Sequence, residues 1–331
     1  MSTNLAQDVL FKRIKEMLPA DIPMVDAISG ILNLSSDSAY RRIRGETPLV
    51  LDEAHRLCEH FKLSLDQLLS LKSSDVLFQN IRINNENFTY EKYLSDLTRR
   101  MQLLQNFSQK EIIYLTKDLP LFHNFYYHPL IAFRYYFWMK SILQHPDFAN
   151  RGVDLSGVPA EITSISQELT KTYTKIPSTE IWNTECVNST ITQIEFYKES
   201  GLFSSAADIK AVYDAFEETI NHLLAQAEQG CKFMPGENLQ GRKPNFKFFY
   251  NRVILGDNTI LVTTDQFKSV YLNYDVLNLV TTSDENFCNM CQQDLQNLVR
   301  KATLISQTGE RQRNIFFNIL LNKVQDRKRN L

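Results

Sequence analysis

Three guanidinium groups fall within four positions, at Arg41, Arg42 and Arg44, while the first seventy residues together hold three Lys and five Arg against ten Asp plus Glu. A segment near −2 that gathers its positive charge at one point can meet a polyanion only along a narrow edge. Two other groupings have reactive residue types. Cys288-Asn289-Met290-Cys291 has redox or metal spacing, but a redox pair needs a helix N-terminus to stabilise its thiolate, and this one falls inside a helix starting near Asp284. With Cys58, Cys186 and Cys231 scattered, no zinc tetrad assembles, and buried core thiols are expected. His123 and His128 flank an aromatic cluster without carboxylates at ligand spacing, so ordinary hydrogen-bonded histidines are expected. The sequence has no glycine-rich phosphate loop, no Gly-x-Ser-x-Gly and no His-Glu-x-x-His, so it predicts no enzyme, no metal and no cofactor.

The basic cluster must be positioned by short helices. Helical spacing of Leu5, Val9, Ile14, Met17 and Leu18 predicts a first helix, stopped by Pro19. A second runs from about Pro23 to Leu32, with Pro23 in its first turn. Ser35 or Ser36 caps a third that ends at Gly45. A fourth covers Asp52 to Phe61, and Ser64 caps a fifth through Leu69. Five helices within residues 1–70 make one small domain, followed by a Ser- and Lys-containing linker at 71–75.

The run from Ile31 through Ser35-Ser36-Asp37-Ser38-Ala39-Tyr40-Arg41-Arg42-Ile43-Arg44-Gly45 to Leu49, continued by His55-Arg56-Leu57-Cys58 and Phe61-Lys62-Leu63-Ser64-Leu65-Asp66-Gln67-Leu68-Leu69, resembles the lambda-repressor-like (XRE-type) helix-turn-helix regulators. The resemblance covers about one fifth of the chain. It implies a recognition helix at about 36–44 in the major groove of double-stranded DNA. By that resemblance Ser36, Asp37 and Arg41 stand where base contacts fall, with Ser35, Ser38, Tyr40 and Arg44 beside them, and Arg42, Arg44 and Thr47 are candidates for phosphate. Ala39 and Ile43, four apart, are expected to face inward. The competing expectation is an adaptor that uses the same helical module for protein contact, since a fold alone does not fix function.

At 331 residues, 43% hydrophobic and 22% charged, the chain predicts two or more folded domains, and ten Gly and ten Pro suit a helix-rich architecture. The net charge of −2 offers no global attraction to polyanions. Five cysteines and no secretory segment predict free thiols in the cytoplasm. The apolar stretch from Leu130 to Leu143 contains Arg134 and Lys140, so no membrane partner is expected.

Residues 76–331 are expected to form an α+β domain, making the whole protein mainly α with a smaller β part. Strands are predicted at Val76 to Ile83 and Glu111 to Thr116. A β-meander is predicted over Phe246 to Leu255, Thr259 to Thr264 and Lys268 to Asn273, extended by Val276 to Thr282. Helices are predicted at Tyr90 to Phe107, 160–174, 179–200, 205–229, from Ser283 or Asp284 to Ile305, and at Glu310 to Arg327. Leu121 to Leu143 reads as a helix or helix pair broken near Pro129, with nine aromatics. Rings of this kind fill a core, or they wall an effector pocket against the meander, with Tyr126, Tyr135, Tyr136 and Trp138 as polar handles for a small molecule or peptide. Family-level analogy adds dimerisation to this domain, so the expected regulator is a homodimer on a near-palindromic operator.

Overall fold

The computed structural model describes residues 5–18, 22–61, 63–65, 76–81, 88–253, 256–273 and 279–329. Contacts divide the chain into two units, Met1–Leu77 and Phe78–Leu331. The first contains α1 (Leu5–Met17), α2 (Met24–Leu32), α3 (Ser36–Ile43) and α4 (Leu51–Phe61). The fifth helix expected through Leu69 and the linker at 71–75 lie outside the described residues, the helix except at its start. Helical spacing turns Leu10, Phe11 and Ile14 of α1 toward Ile28 and Leu32 of α2, Ala39 of α3, and Leu57 and Cys58 of α4, which together form one core. Pro23 stands one residue ahead of α2 as its N-cap.

The second unit is built on an eight-stranded mixed sheet of order β1-β7-β6-β5-β2-β3-β4-β8. Its strands are β1 (Gln79–Ile81), β2 (Lys110–Leu115), β3 (Ser178–Trp182), β4 (Phe246–Tyr250), β5 (Thr259–Thr264), β6 (Lys268–Asn273), β7 (Leu279–Thr282) and β8 (Thr303–Leu304). Its helices are α5 (Tyr90–Gln105), α6 (His128–Phe137), α7 (Ala160–Thr174), α8 (Asn188–Glu199), α9 (Ala206–Gln229), α10 (Glu285–Lys301) and α11 (Glu310–Lys328). β2, β3 and β4 are mutually parallel, as the long helical crossovers between them require, and all other pairings are antiparallel. The chain is thus mainly α with a smaller β part.

Two expectations for this unit change. Residues 178–182 form the central strand β3 rather than opening a helix over 179–200. Buried on both faces, the strand lacks the alternation that betrays a half-exposed one. Phe246–Tyr250 pairs with β3 and β8 instead of β5, so the meander is β5-β6-β7, closed at its edge by β1. Within Leu121 to Leu143 a 3-10 turn at Leu121–Asn124 precedes α6, Pro129 stands in the first turn of α6 near the expected break, and α6 runs on into a π-turn at Trp138–Ile142.

Period-2 alternation gives the sheet two different faces. Ile113, Leu115, Ile181, Leu261 and Val270 pack on Cys288 and Leu295 of α10. The opposite face carries Ile112, Tyr114, Trp182, Phe246, Phe248 and Val262 under the other helices. On this second face, Glu180 is fully buried. Its carboxylate accepts His123 Nε2–H at 3.0 Å, Tyr173 Oη–H at 2.6 Å and Trp182 Nε1–H at 2.9 Å. His123 Nδ1 lies 3.0 Å from Tyr126 Oη, which in turn accepts Gln226 Nε2–H at 3.0 Å. Burial alone would raise the Glu180 carboxyl, but His123 and then Lys232 and Tyr173 reverse this and hold it below its ordinary value.

Lys232, also buried, donates to Ser178 Oγ at 2.7 Å and lies 3.6 Å from the Tyr173 ring centre. Desolvation pushes its pKa down from 10.5 to about 7, with Glu180 opposing the shift.

Glu180→Ala strands three buried donors and is expected to lower the unfolding free energy by roughly 3 kcal/mol or more in chemical denaturation. A loss below about 1 kcal/mol would mean that the carboxylate is not what satisfies them. For Lys232 the unfolded chain holds more protons than the folded one between about pH 7 and 10.5, so stability rises with pH across that window. Lys232→Met is expected to flatten that rise relative to the unsubstituted protein in denaturation curves at stepped pH.

Candidate nucleic-acid interface

α2 ends at Leu32 with Asn33 in the left-handed region (φ 56°, ψ 51°), a conformation Asn tolerates. Leu34 N–H closes on Ser29 O at 3.0 Å. Ser35, extended, then caps α3: its Oγ accepts Ser38 N–H at 3.3 Å and donates to Ser38 Oγ at 3.0 Å. Three residues therefore turn the chain from α2 into α3. Gly45 ends α3 at φ +73°, which lets Glu46 and Thr47 N–H return to Arg41 O at 2.9 and 3.2 Å.

Two side chains fix α3 against its neighbours. Gln7, 5% exposed, donates from Nε2 to Arg42 O at 2.6 Å and Thr47 O at 2.9 Å, while its Oε1 accepts Leu49 N–H at 2.9 Å. It joins α1 to both the end of α3 and the loop beyond. Arg42 grips Glu53 of α4 with both arms, Nε to Oε2 at 2.8 Å and Nη2 to Oε1 at 2.7 Å, and Nη1 donates to Ser38 O at 3.3 Å. Glu53 also accepts Val50 N–H at 3.2 Å, closing the first turn of α4. The hydrogen bond from Arg42 holds the Glu53 carboxyl below its ordinary range against the opposing effect of desolvation.

This geometry corrects one expected site residue. Arg42 does not face outward toward phosphate; its position on α3 turns it to α4, where a bidentate carboxylate holds it. Asp37, Tyr40, Arg41 and Arg44 occupy positions i, i+3, i+4 and i+7 and are all exposed, so they share one face. Ser35 and Ser36 are exposed at its N-terminal end, and Ser38 and Thr47 are half-buried. On that face Arg41 Nε lies 3.4 Å from Asp37 Oδ2. Arg44 Nη1 lies 3.6 Å from Glu46, with its guanidinium 4.6 Å from the Tyr40 ring centre. Exposed pairs of this kind are worth at most about 1 kcal/mol, so both guanidinium groups can be redirected to bases or phosphates. Gln7 went unnoticed in the sequence, although its spacing with Leu10, Phe11 and Ile14 places a polar residue on the buried side of α1.

The four aromatic handles in the second unit do not converge. Tyr126 is buried in the Glu180 network, Tyr135 packs edge-on to Phe148 at 5.5 Å, and Tyr136 is buried against the same ring. Trp138 alone of the four lines a cavity of about 570 Å³ beside α5, α8 and the ends of β2 and β5. A second cavity of about 570 Å³ lies between α5 and the sheet, walled by Phe88, Met101, Phe107, Val262 and Tyr271 among others. Both share Tyr93, Leu97, Phe122, Ile260 and Leu279. The helix facing the meander across that cavity is α5, not the aromatic segment 121–143.

Cys288 is buried and desolvation pushes its thiol up to about 11, which disfavours the thiolate a redox pair needs. No helix among the described residues is long and apolar enough to cross a membrane. Comparison of the chain with protein-family models, curated proteins and solved structures finds no match.

Gln7→Ala leaves two carbonyls and one amide without their partner and is expected to cost about 2 kcal/mol of local stability. Hydrogen exchange of the α3 amides in the full chain reads this directly; unchanged protection would refute the clamp. Because the Glu53 pKa is lowered on folding, its contribution is full above the ordinary carboxylate range and is lost as pH falls below that range through the lowered folded value. α3 amides should therefore lose protection on acidification in the unsubstituted protein, and the change should be smaller in Glu53→Gln.

Proposed function

We propose that the chain is a sequence-specific DNA-binding transcriptional regulator that reads the major groove with α3. The observation that carries this reading is the division of labour on that helix. Gln7 and the Arg42–Glu53 pair hold its inner side, while Asp37, Tyr40, Arg41 and Arg44 stand exposed on one outer face. A helix preceded by a three-residue turn and packed on its predecessor is how such modules present side chains to base edges.

Within this reading Arg41 donates to guanine O6 and N7, Arg44 and the Ser35–Ser38 turn of α3 meet the sugar-phosphate backbone, and Tyr40 covers the adjacent edge. Asp37 repels phosphate and accepts from a cytosine amino group, so it favours sequence over bulk affinity. A module this small buries little DNA surface, so two copies act together on a near-palindromic operator in the cytoplasm, with the second unit supplying dimerisation and effector sensing.

Duplexes selected from a random pool by the purified protein provide the test, with affinity read by fluorescence anisotropy across salt concentrations. The expected result is a linear fall of log K with log salt, a loss of about 1 to 3 kcal/mol for Arg41→Ala at its preferred site, and a weaker salt slope for Arg44→Ala. Asp37→Asn is expected to bind unrelated DNA more tightly. Absence of enrichment, or full binding by a variant with Arg41 and Arg44 both changed to Glu, would favour a protein-contacting adaptor.

A further inference from the structure

Arg134, on α6, is 8% exposed, and among the described residues no carboxylate lies within ion-pair distance of it. Its bonds go to neutral oxygens instead: Nε to Asn124 Oδ1 at 2.8 Å, Nη2 to Thr190 Oγ1 at 2.5 Å, and Nη1 to Gln193 Oε1. These use three of the five donors of a guanidinium. Burial lowers its pKa to about 10, still far above neutrality, so the group is a buried cation. Such a charge is costly without a directly bonded counter-charge; Asp118 acts on it only from beyond ion-pair distance, and Arg134 lines the cavity that Trp138 walls.

The surroundings of the cavity point the same way. Lys117 and Asp118, just past the C-terminal end of β2, line it. β2 is the strand at which the sheet switches, parallel to β3 on one side and antiparallel to β5 on the other. Ser189 and Thr190, in the first turn of α8, also line it, so the positive end of that helix dipole borders the same space. Tyr90, close enough to Arg134 to interact electrostatically, has a buried hydroxyl with no hydrogen-bond partner among the described residues. Trp138 opens the π-turn, closed by Leu143 N–H on Trp138 O at 2.8 Å, a feature frequent at functional sites.

Charge bounds the ligand. Arg134 and Lys117 are offset by Asp118 and Asp257 on the same walls, and Lys117 is already 3.2 Å from Asp257. With Lys117 so paired, Arg134 is the cation on these walls left to meet a ligand, and with Asp118 beside the same space it suits a monoanion better than a dianion. The second cavity supplies the rest: it adjoins through shared walls and is lined mostly by rings and aliphatic side chains, together with Lys92, Asp96, Arg100 and Asn106.

We infer that this unit binds a monocarboxylic acid with an apolar body, its carboxylate on Arg134 and its body along α5. Binding needs no covalent step, and the site stands whether or not α3 reads DNA.

The test uses the full chain without DNA, by calorimetry and by the fluorescence of Trp138, one of only two tryptophans. The probes are decanoate against 1-decanol, and 3-phenylpropanoate against 3-phenylpropanol, at concentrations below micelle formation. At least one acid is expected to bind tenfold or more tightly than its alcohol, and which acid does so separates a linear from an aryl ligand. Arg134→Met should abolish the preference, and Ser189→Trp, which fills the cavity from α8, should abolish binding. Equal binding of acid and alcohol, no binding of either pair, or a preference that survives Arg134→Met would overturn the inference. The acid-alcohol comparison on the unsubstituted protein decides the matter even where Arg134→Met fails to fold.

Discussion

A charge taken out of water must find its lost bonds again inside the protein, and two buried charges, Glu180 and Arg134, and the half-buried Glu53 differ in how they meet that demand. Glu180 meets it with three donors from His123, Tyr173 and Trp182. Those donors come from the 3-10 turn before α6, from α7 and from β3 itself, so the carboxylate fixes how helices seat on the central strand. Glu53 meets it with a bidentate guanidinium and one backbone amide, and thereby ties α3 to α4. Arg134 bonds only to neutral oxygens, and it is the one of the three that borders a cavity. The first two arrangements rigidify the fold; the third leaves a positive charge where a ligand can reach it.

The same logic separates structure from display on α3. A helix of eight residues is too short to hold its own shape in water. Its order comes from Ala39 in the core, Gln7 on its final carbonyls and Arg42 on Glu53. With position and rotation set from the inside, the outer residues need no partner in the protein to be well placed. Such preorganisation suits the proposed reading of DNA, and it accounts for one of three clustered arginines serving the scaffold.

Much of the first unit was legible because its signals are local. Helical spacing, the cap at Ser35 or Ser36 and the Gly45 stop each act within a few residues, and α1 to α4 follow from them. Arg42 was misassigned because its partner Glu53 is eleven residues away and only the packing of α3 on α4 brings them together. β3 was read as helix for a related reason: Ser-Thr-Glu-Ile-Trp carries no alternation when both faces are buried, and the donors that make Glu180 tolerable lie far off in sequence. Phe246–Tyr250 has strand residues, but its neighbour is chosen by the crossover from β3 through α8 and α9, which spacing does not reveal. Arg134 counted in the sequence only against a membrane span; that its bonds go to neutral oxygens and none to a carboxylate is a three-dimensional fact.

DNA reading by α3 requires the helix to lie in the major groove. Dimethyl sulfate footprinting on a selected operator reports guanine N7, which lies in the major groove, and adenine N3, which lies in the minor groove. The account predicts guanine N7 protection in two patches about one helical turn apart, with adenine N3 left reactive. Protection of adenine N3 alone, or no protection at saturating protein, would contradict it.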